Sequence, residues 1–191
     1  MTICVFPGTF NPIHNAHLMM AEFVLKNFNF DKIIFIPAYL PPHKEIQANL
    51  ASHRLEMVKL ATKQNPKFEV SDIEYKSEGK SYSLITVKKL IEQYKLKTRL
   101  NFIIGTDAFA KINTWYKAEE LKELVHFIVF PRNTTELNVE ELKNQNWDFE
   151  LIDWECKDIS STEIRNGEKL DTAKNVEVYI KNNDLYKSWK L

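Results

Sequence analysis

The stretch that decides the fold runs over residues 3–27 and reads ICVFPGTFNPIHNAHLMMAEFVLKN. It opens with a short apolar run, Ile3 to Phe6, and glycine and proline follow that run directly. Apolar side chains then recur at helical spacing over residues 15–27. We therefore predict a strand, a turn dense in polar residues and an amphipathic helix, in that order.

The same alternation continues along most of the chain. Five more short apolar runs are predicted strands, at residues 33–36, 68–70, 101–104, 127–130 and 149–152. Amphipathic stretches predict helices at about 15–27, 50–63, 82–95 and 118–125, and residues 133–146 indicate a loop with a short helix. Strands that are apolar at consecutive positions need cover on both faces, which alternating helices supply. The pattern predicts an α/β fold with a doubly wound, Rossmann-like parallel sheet.

Composition narrows the class of protein. With 191 residues, 44% of them apolar, we expect one domain over residues 1–191, with a small helical part from about residue 160. Lysine plus arginine equals aspartate plus glutamate, 26 of each, so no overall field attracts nucleic acid or a membrane surface. No stretch approaches the ~18 apolar residues of a membrane helix, and no secretory leader is evident.

The two cysteines, Cys4 and Cys156, have no CxxC spacing. A disulfide framework or a zinc site therefore has no support in the sequence, and we expect a protein of the reducing cytoplasm. Oligomeric state is not readable from the sequence, which is compatible with a homo-oligomer.

A first polar cluster follows the first predicted strand. Gly8 lacks a side chain where the backbone is expected to turn, so a phosphate can approach the main chain near a helix N-terminus. His14 and His17 are three apart and are expected to share a helix face, with two imidazole N–H donors for one phosphoryl group. Two capping or surface histidines would show the same spacing, but their position after the first strand favours anion binding. Neither a P-loop motif nor GxGxxG occurs.

A second cluster lies near the end of the chain. Ser160 and Glu163 have the spacing of a capping box, so a helix is predicted to begin there with free backbone amides. Arg165 lies one turn further on, and its guanidinium is expected to reach back to an anion at the helix start. A capping box alone indicates only a helix start, and its value here comes from the pairing with the first cluster.

The two clusters together resemble the nucleotidyltransferase superfamily, whose signatures are an HxGH-like motif after the first strand and an ISSTxIR-like motif near the C-terminus. Here they read His14-Asn15-Ala16-His17 and Ile159-Ser160-Ser161-Thr162-Glu163-Ile164-Arg165. Over nearly its whole length the chain is similar to the nicotinate-nucleotide adenylyltransferases. The other matching segments are residues 8–14, 41–44, 53–57, 81–83 and 105–107, together with Trp115.

That resemblance implies transfer of the adenylyl group of ATP to nicotinate mononucleotide, with pyrophosphate as the leaving group and Mg²⁺ carried by ATP rather than by protein side chains. It implies in-line attack without a protein nucleophile. The catalytic residues that it implies are His14, His17 and Arg165. Those implied for ATP are Gly8, Thr9, Phe10, His17, Gly105, Asp107, Ile159, Ser160, Ser161 and Arg165, with Asp107 on the ribose. Those implied for the mononucleotide are Lys44, Tyr82, Ser83, Thr86, Trp115 and Arg132.

The chain departs from the family pattern at a few positions, namely Pro7, Asn11, Ala16, Ser77, Ser83 and residues 130–132. The methyl group of Ala16 is expected to push ATP outward or to shift the first helix. Asn11 removes a negative charge near the phosphates. The alternatives are a related adenylyltransferase acting on nicotinamide mononucleotide or phosphopantetheine, and a nucleotide-sensing protein without turnover.

Overall fold

The computed structural model describes residues 2–42, 48–76, 79–132, 135–154, 161–168 and 171–186. Six strands form one sheet: β1 (Ile3–Gly8), β2 (Lys32–Pro37), β3 (Phe68–Val70), β4 (Leu100–Gly105), β5 (Val125–Phe130) and β6 (Phe149–Leu151). All five pairings are parallel, in the order β3-β2-β1-β4-β5-β6. The predicted doubly wound parallel sheet and its six strands are confirmed.

The helices are α1 (Asn15–Asn27), α2 (Ala51–Thr62), α3 (Ser83–Tyr94), α4 (Thr106–Phe109), α5 (Ala118–Leu124), α6 (Val139–Asn144), α7 (Ser161–Arg165) and α8 (Lys174–Asn182), and short 3₁₀ turns cover Ala48–Leu50, Ile73–Lys76 and Ile112–Thr114. The four predicted long helices are present, each within one residue of its expected bounds. Helix α6 is the short helix predicted within residues 133–146. Helix α4 is a single turn, which is too short to leave a periodic signal in the sequence.

The core lies on both faces of the sheet, as the consecutive apolar residues of the strands require. Ile3 and Val5 pack on one side with residues of α3 and α5, while Cys4 and Phe6 pack on the other with α1, α2 and α8. Successive strand side chains point to opposite faces, so both layers of helices are needed to bury them. No helix in the described part of the chain is long and apolar enough to cross a membrane.

This topology fixes where a ligand can bind. The strand order reverses between β1 and β4, and in doubly wound sheets the crevice for ligands forms beyond the carboxyl ends of the strands at that point. The residues that follow β1, β4 and β5 therefore meet at one edge of the sheet.

Candidate active site

A cavity of about 870 Å³ opens at this edge of the sheet. Its wall contains residues of both predicted clusters, although about 150 positions of sequence separate them. The first cluster contributes His14 and His17, and the second contributes Ser161, Thr162 and Arg165. Among the described residues predicted for the site, all but Thr86 line this cavity.

The turn after β1 differs from the prediction. Gly8 is the last residue of the strand, and the left-handed backbone conformation falls two residues later, on Phe10, with a φ of 47°. A Cβ atom on Gly8 would lie 2.7 Å from Cζ of the Phe10 ring. The buried Phe10 ring therefore occupies the space that a side chain at position 8 would need, while Gly8 itself lines the cavity, and its contact with a phosphate stays a prediction.

The two histidines lie side by side at the start of α1. Their ring centroids are 3.7 Å apart, and the planes are tilted by 32°. Nδ1 of His17 accepts the backbone N–H of His14, the N-cap residue, at 3.2 Å. Since Nδ1 is an acceptor, the proton of a neutral His17 ring lies on Nε2, which is then a donor.

His14 is almost completely buried, at 2% exposure. Neither of its ring nitrogens has a hydrogen-bond partner among the described residues. Buried polar atoms without a partner are rare in proteins and often mark the place of a water or a ligand. Burial, assisted by the positive charge of Arg132, lowers the pKa of His14 to about 3. The imidazole is therefore neutral near pH 7, and it can donate one N–H bond but carries no charge.

Helix α7 is docked on the loop that follows β1. Arg165 donates from Nη1 to the Asn11 carbonyl at 2.7 Å and from Nη2 to Thr162 Oγ1 at 3.0 Å. The Ser161 hydroxyl donates to the Pro12 carbonyl at 3.0 Å. These bonds hold the second cluster against the first. Ile159 and Ser160 lie outside the described residues, so the predicted cap remains a prediction.

Asn11 itself is tied to the end of the chain. Its Oδ1 accepts the hydroxyl of Tyr186 at 2.6 Å. The Asn11 side chain is therefore held by a hydrogen bond from Tyr186. Its amide also carries no negative charge, as the sequence indicates. Ala16 is buried within α1 and also lines the cavity.

The segment after β4 is linked to the segment after β5. Thr106 Oγ1 accepts the backbone N–H of Arg132 at 2.9 Å and donates to the Arg132 carbonyl at 3.1 Å. The guanidinium of Arg132 lies 3.7 Å from Oδ2 of Asp107. A Cβ on Gly105 would lie 2.7 Å from Oδ1 of Asp107, so a side chain at position 105 would displace this carboxylate. Thr106 fixes Arg132 by contacts that no short-range spacing reveals.

The start of α3 and two aromatic residues of the segment before α5 also line the cavity. Ser83 is the first residue of α3, whose first amides have no acceptor within the helix. The Tyr82 ring lies 4.6 Å from that of Tyr116, a cavity residue that the sequence reading missed. Trp115 is partly buried against Phe102 and also lines the cavity. Lys44 lies outside the described residues.

Thr86 is the predicted substrate residue that the structure places elsewhere. Its side chain is buried, and Oγ1 donates to Oε1 of Glu74 at 2.8 Å. The hydroxyl proton is thus used within the protein, Thr86 is not part of the cavity lining, and its contact with the mononucleotide stays a prediction.

Residues 5–167 match the family model described as cytidylyltransferase-like. The chain is 41% identical to a probable nicotinate-nucleotide adenylyltransferase of Caldicellulosiruptor saccharolyticus, over 98% of this chain and 100% of that protein. The corresponding protein of Fusobacterium nucleatum is 43% identical, over 87% of this chain and 86% of its own. The chain belongs to the nicotinate-nucleotide adenylyltransferase family.

Solved structures show the same fold in this family. The Plasmodium falciparum nicotinic acid mononucleotide adenylyltransferase complexed with NaAD superposes with a TM-score of 0.81 at 22% identity, over 97% of each chain. Its complex with APC gives a TM-score of 0.78 at 20% identity, again over 97% of each chain. At this level of identity the likeness concerns the fold alone.

Two further buried residues of this family member were missed by the sequence reading. Arg54 is fully buried, and Glu74 is 7% exposed and lines the cavity. Arg54 belongs to a matching segment, but nothing in its local sequence indicates which carbonyls it contacts. Arg54 and Glu74 are buried by residues far away in the chain, and the helical or strand periodicity around them does not predict that burial. No group of three or more metal-ligating side chains occurs among the described residues.

The buried His14 predicts a pH dependence of stability. Its pKa is about 3 in the folded chain, against an ordinary 6.5. Between these values the unfolded chain binds a proton that the folded chain does not, so stability falls as the pH falls. We expect wild type to lose about 2 kcal/mol more unfolding free energy than His14→Gln between roughly pH 7 and 5. Urea titrations at both pH values measure this difference, and parallel losses would contradict it.

Proposed function

We propose that this chain transfers the adenylyl group of ATP to nicotinate mononucleotide, forming nicotinate adenine dinucleotide and pyrophosphate. The observation that carries the proposal is that one cavity is lined by His14, His17 and Arg165 together with the start of α3 and Trp115. Relatives at about 40% identity over nearly the full chain, named as nicotinate-nucleotide adenylyltransferases, support it.

The reaction requires no protein nucleophile. A phosphate oxygen of the mononucleotide attacks the α-phosphorus of ATP, and the bond from that phosphorus to the bridging oxygen breaks as pyrophosphate leaves. Catalysis then consists of positioning the two substrates and stabilising negative charge on the migrating group. His17 supplies an N–H donor from Nε2, His14 supplies a neutral donor, and Arg165 supplies a positive charge.

Mg²⁺ is proposed to enter as part of the substrate, bound to the phosphates of ATP. Its charge would offset that of the departing pyrophosphate. The reducing cytoplasm remains the predicted location, and a homo-oligomer remains compatible with the sequence.

Residues 81–84, at the start of α3, form the part of the cavity lining that we propose for the acceptor and that we name the acceptor wall. This wall favours the acid form of the acceptor. Ser83 and Leu84, the first residues of α3, line the cavity. Helix N-termini carry partial positive charge and unpaired N–H groups, and these stabilise a carboxylate more than a neutral amide. We therefore propose nicotinate rather than nicotinamide mononucleotide as the acceptor.

The test is a coupled pyrophosphate-release assay with ATP, Mg²⁺ and one acceptor at a time: nicotinate mononucleotide, nicotinamide mononucleotide or phosphopantetheine. We expect turnover with nicotinate mononucleotide, and a kcat/KM about five- to thirtyfold above that for the amide, since a charge at a partly buried helix N-terminus contributes about 1 to 2 kcal/mol. Mass spectrometry identifies the product. Turnover with phosphopantetheine alone, or ATP binding without pyrophosphate release, would overturn the assignment.

A further inference from the structure

Arg54 is a buried cation that the mechanism above does not use. Its Nη1 donates to the carbonyls of Thr9 at 2.8 Å and Ala38 at 2.6 Å, and its Nη2 donates to the carbonyl of Tyr39 at 2.9 Å. A guanidinium is costly to bury unless its donors are paired, and three carbonyl oxygens accept bonds from its two Nη atoms, whereas Nε has no hydrogen-bond partner among the described residues. Arg54 thereby joins the loop after β1 to residues 38–40, which we name the post-β2 loop.

Glu74 makes a second connection, from the post-β2 loop to the start of α3. Oε2 accepts the backbone N–H of Tyr39 at 3.3 Å, and Oε1 accepts the hydroxyl of Thr86. The carboxylate also accepts the hydroxyl of Ser81. Burial raises the pKa of Glu74, while these three donors and the charge of Arg54 oppose that rise.

The bonds that Ser81 accepts determine where its own hydroxyl proton points. Its Oγ accepts the backbone N–H groups of Tyr39 at 2.9 Å and Leu40 at 3.1 Å, and its own N–H donates to the Leu40 carbonyl at 2.9 Å. With Oγ already accepting two bonds, its single proton is directed to Glu74. A carboxylate can accept all of these donors, and no neutral side chain of the same shape can.

The two connections share one residue, since the carbonyl of Tyr39 binds Arg54 and its N–H binds Glu74. Together they form a continuous hydrogen-bonded path between residues that line the cavity, namely Thr9, Ala38, Glu74 and Ser81. One end is Thr9, on the wall with the histidines, and the other is residues 81–83, on the acceptor wall.

We propose that Arg54 and Glu74 are positioning residues that set the separation between Thr9, His14 and His17, which we name the ATP wall, and the acceptor wall of the cavity, an inference that rests on the proposed adenylyl transfer. In-line attack requires the acceptor phosphate to lie close to the α-phosphorus and opposite the leaving group. A misplacement of about 1 Å can cost on the order of 10² in rate. Neither residue is needed to contact a substrate atom in this role.

Glu74→Gln tests the proposal with little change of shape. The glutamine amide places N–H donors toward groups that are themselves donors, so the start of α3 is released while Arg54 still holds Thr9. We expect KM for nicotinate mononucleotide to rise on the order of tenfold, as for the loss of a charged hydrogen bond, and KM for ATP to change by less than about twofold. Steady-state kinetics with each substrate varied in turn give both values.

Glu69→Gln is the matched control. Glu69 also accepts two side-chain donors, Lys32 Nζ at 2.9 Å and Tyr94 hydroxyl at 3.0 Å, but it lies on the edge strand β3, away from the cavity. We expect both KM values to stay unchanged in this variant. Should Glu74→Gln fail to fold by circular dichroism, Ser81→Ala removes the central hydroxyl of the path and is expected to show the same split.

A folded Glu74→Gln with the wild-type KM for the mononucleotide, or with equal rises for both substrates, would overturn the inference. Calorimetric Kd values for nicotinate mononucleotide and for a non-hydrolysable ATP analogue separate this outcome from a failure of the proposed function. A wild type without turnover on nicotinate mononucleotide would reject the function. The binding split between the two ligands would still decide the role of Glu74.

Discussion

Replacement of His17 with alanine is expected to lower kcat by about 10² to 10³, as for the loss of a single donor aimed at charge that develops in the transition state. The ring lies beside His14 in the cavity wall, and its Nδ1 is occupied by the backbone N–H of His14. The proton of the neutral ring therefore lies on Nε2, and we expect this N–H to be the donor that stabilises the migrating phosphoryl group. The pyrophosphate-release assay at saturating ATP and nicotinate mononucleotide measures kcat.

His17→Asn separates the catalytic role from the capping role. The Oδ1 atom of asparagine can accept the N–H of His14 in place of Nδ1, but no donor remains at the position of Nε2. We expect this variant to regain the helix stability that alanine loses, and to keep the low kcat. A wild-type kcat for His17→Asn would mean that only the cap matters.

Replacement of Arg165 with methionine is expected to lower kcat/KM for ATP by about 10² to 10³, since a fixed positive charge near the transferred group is lost. The side chain also donates to Asn11 and Thr162, so its removal loosens α7 from the loop after β1. Arg165→Lys keeps the charge without the planar fork of donors, and we expect only part of the activity to return.

Arg99→Met is the control for the loss of an arginine. Arg99 pairs with Asp148 at 2.8 Å and with Glu123 at 3.6 Å, and it precedes β4, at the end of the sheet opposite to the cavity. It is expected to leave kcat/KM unchanged. An unchanged kcat/KM for ATP in Arg165→Met would remove this residue from the proposed machinery.

Much of the fold was predictable because its signal is local. Even the three-residue strand Phe68–Val70 and the bounds of helix α1 match the predicted ranges. Consecutive apolar positions predicted strands buried on both faces, and the two packed faces of the sheet confirm this interpretation. The one-turn helix α4 was missed since four residues contain no period.

The candidate site was predictable to a smaller degree. The sequence motifs indicated which residues would form the site, and nearly all of those that the structure describes line the same cavity. The details of their environment were not predictable. The Phe10 ring occupies the space beside Gly8 that a side chain would need, and the Thr86 hydroxyl donates to Glu74, and neither contact has a signal in the local sequence.

The sequence by itself determined the alternation of strands and helices and the chemical groups available after each strand, because both are properties of neighbouring residues. The tertiary structure alone decided how those groups are used. The low pKa of His14 depends on burial and on Arg132, and the roles of Arg54 and Glu74 depend on carbonyls and donors from three other segments. Burial and hydrogen bonding between distant segments arise only when the chain has folded, so no spacing along the sequence encodes them directly.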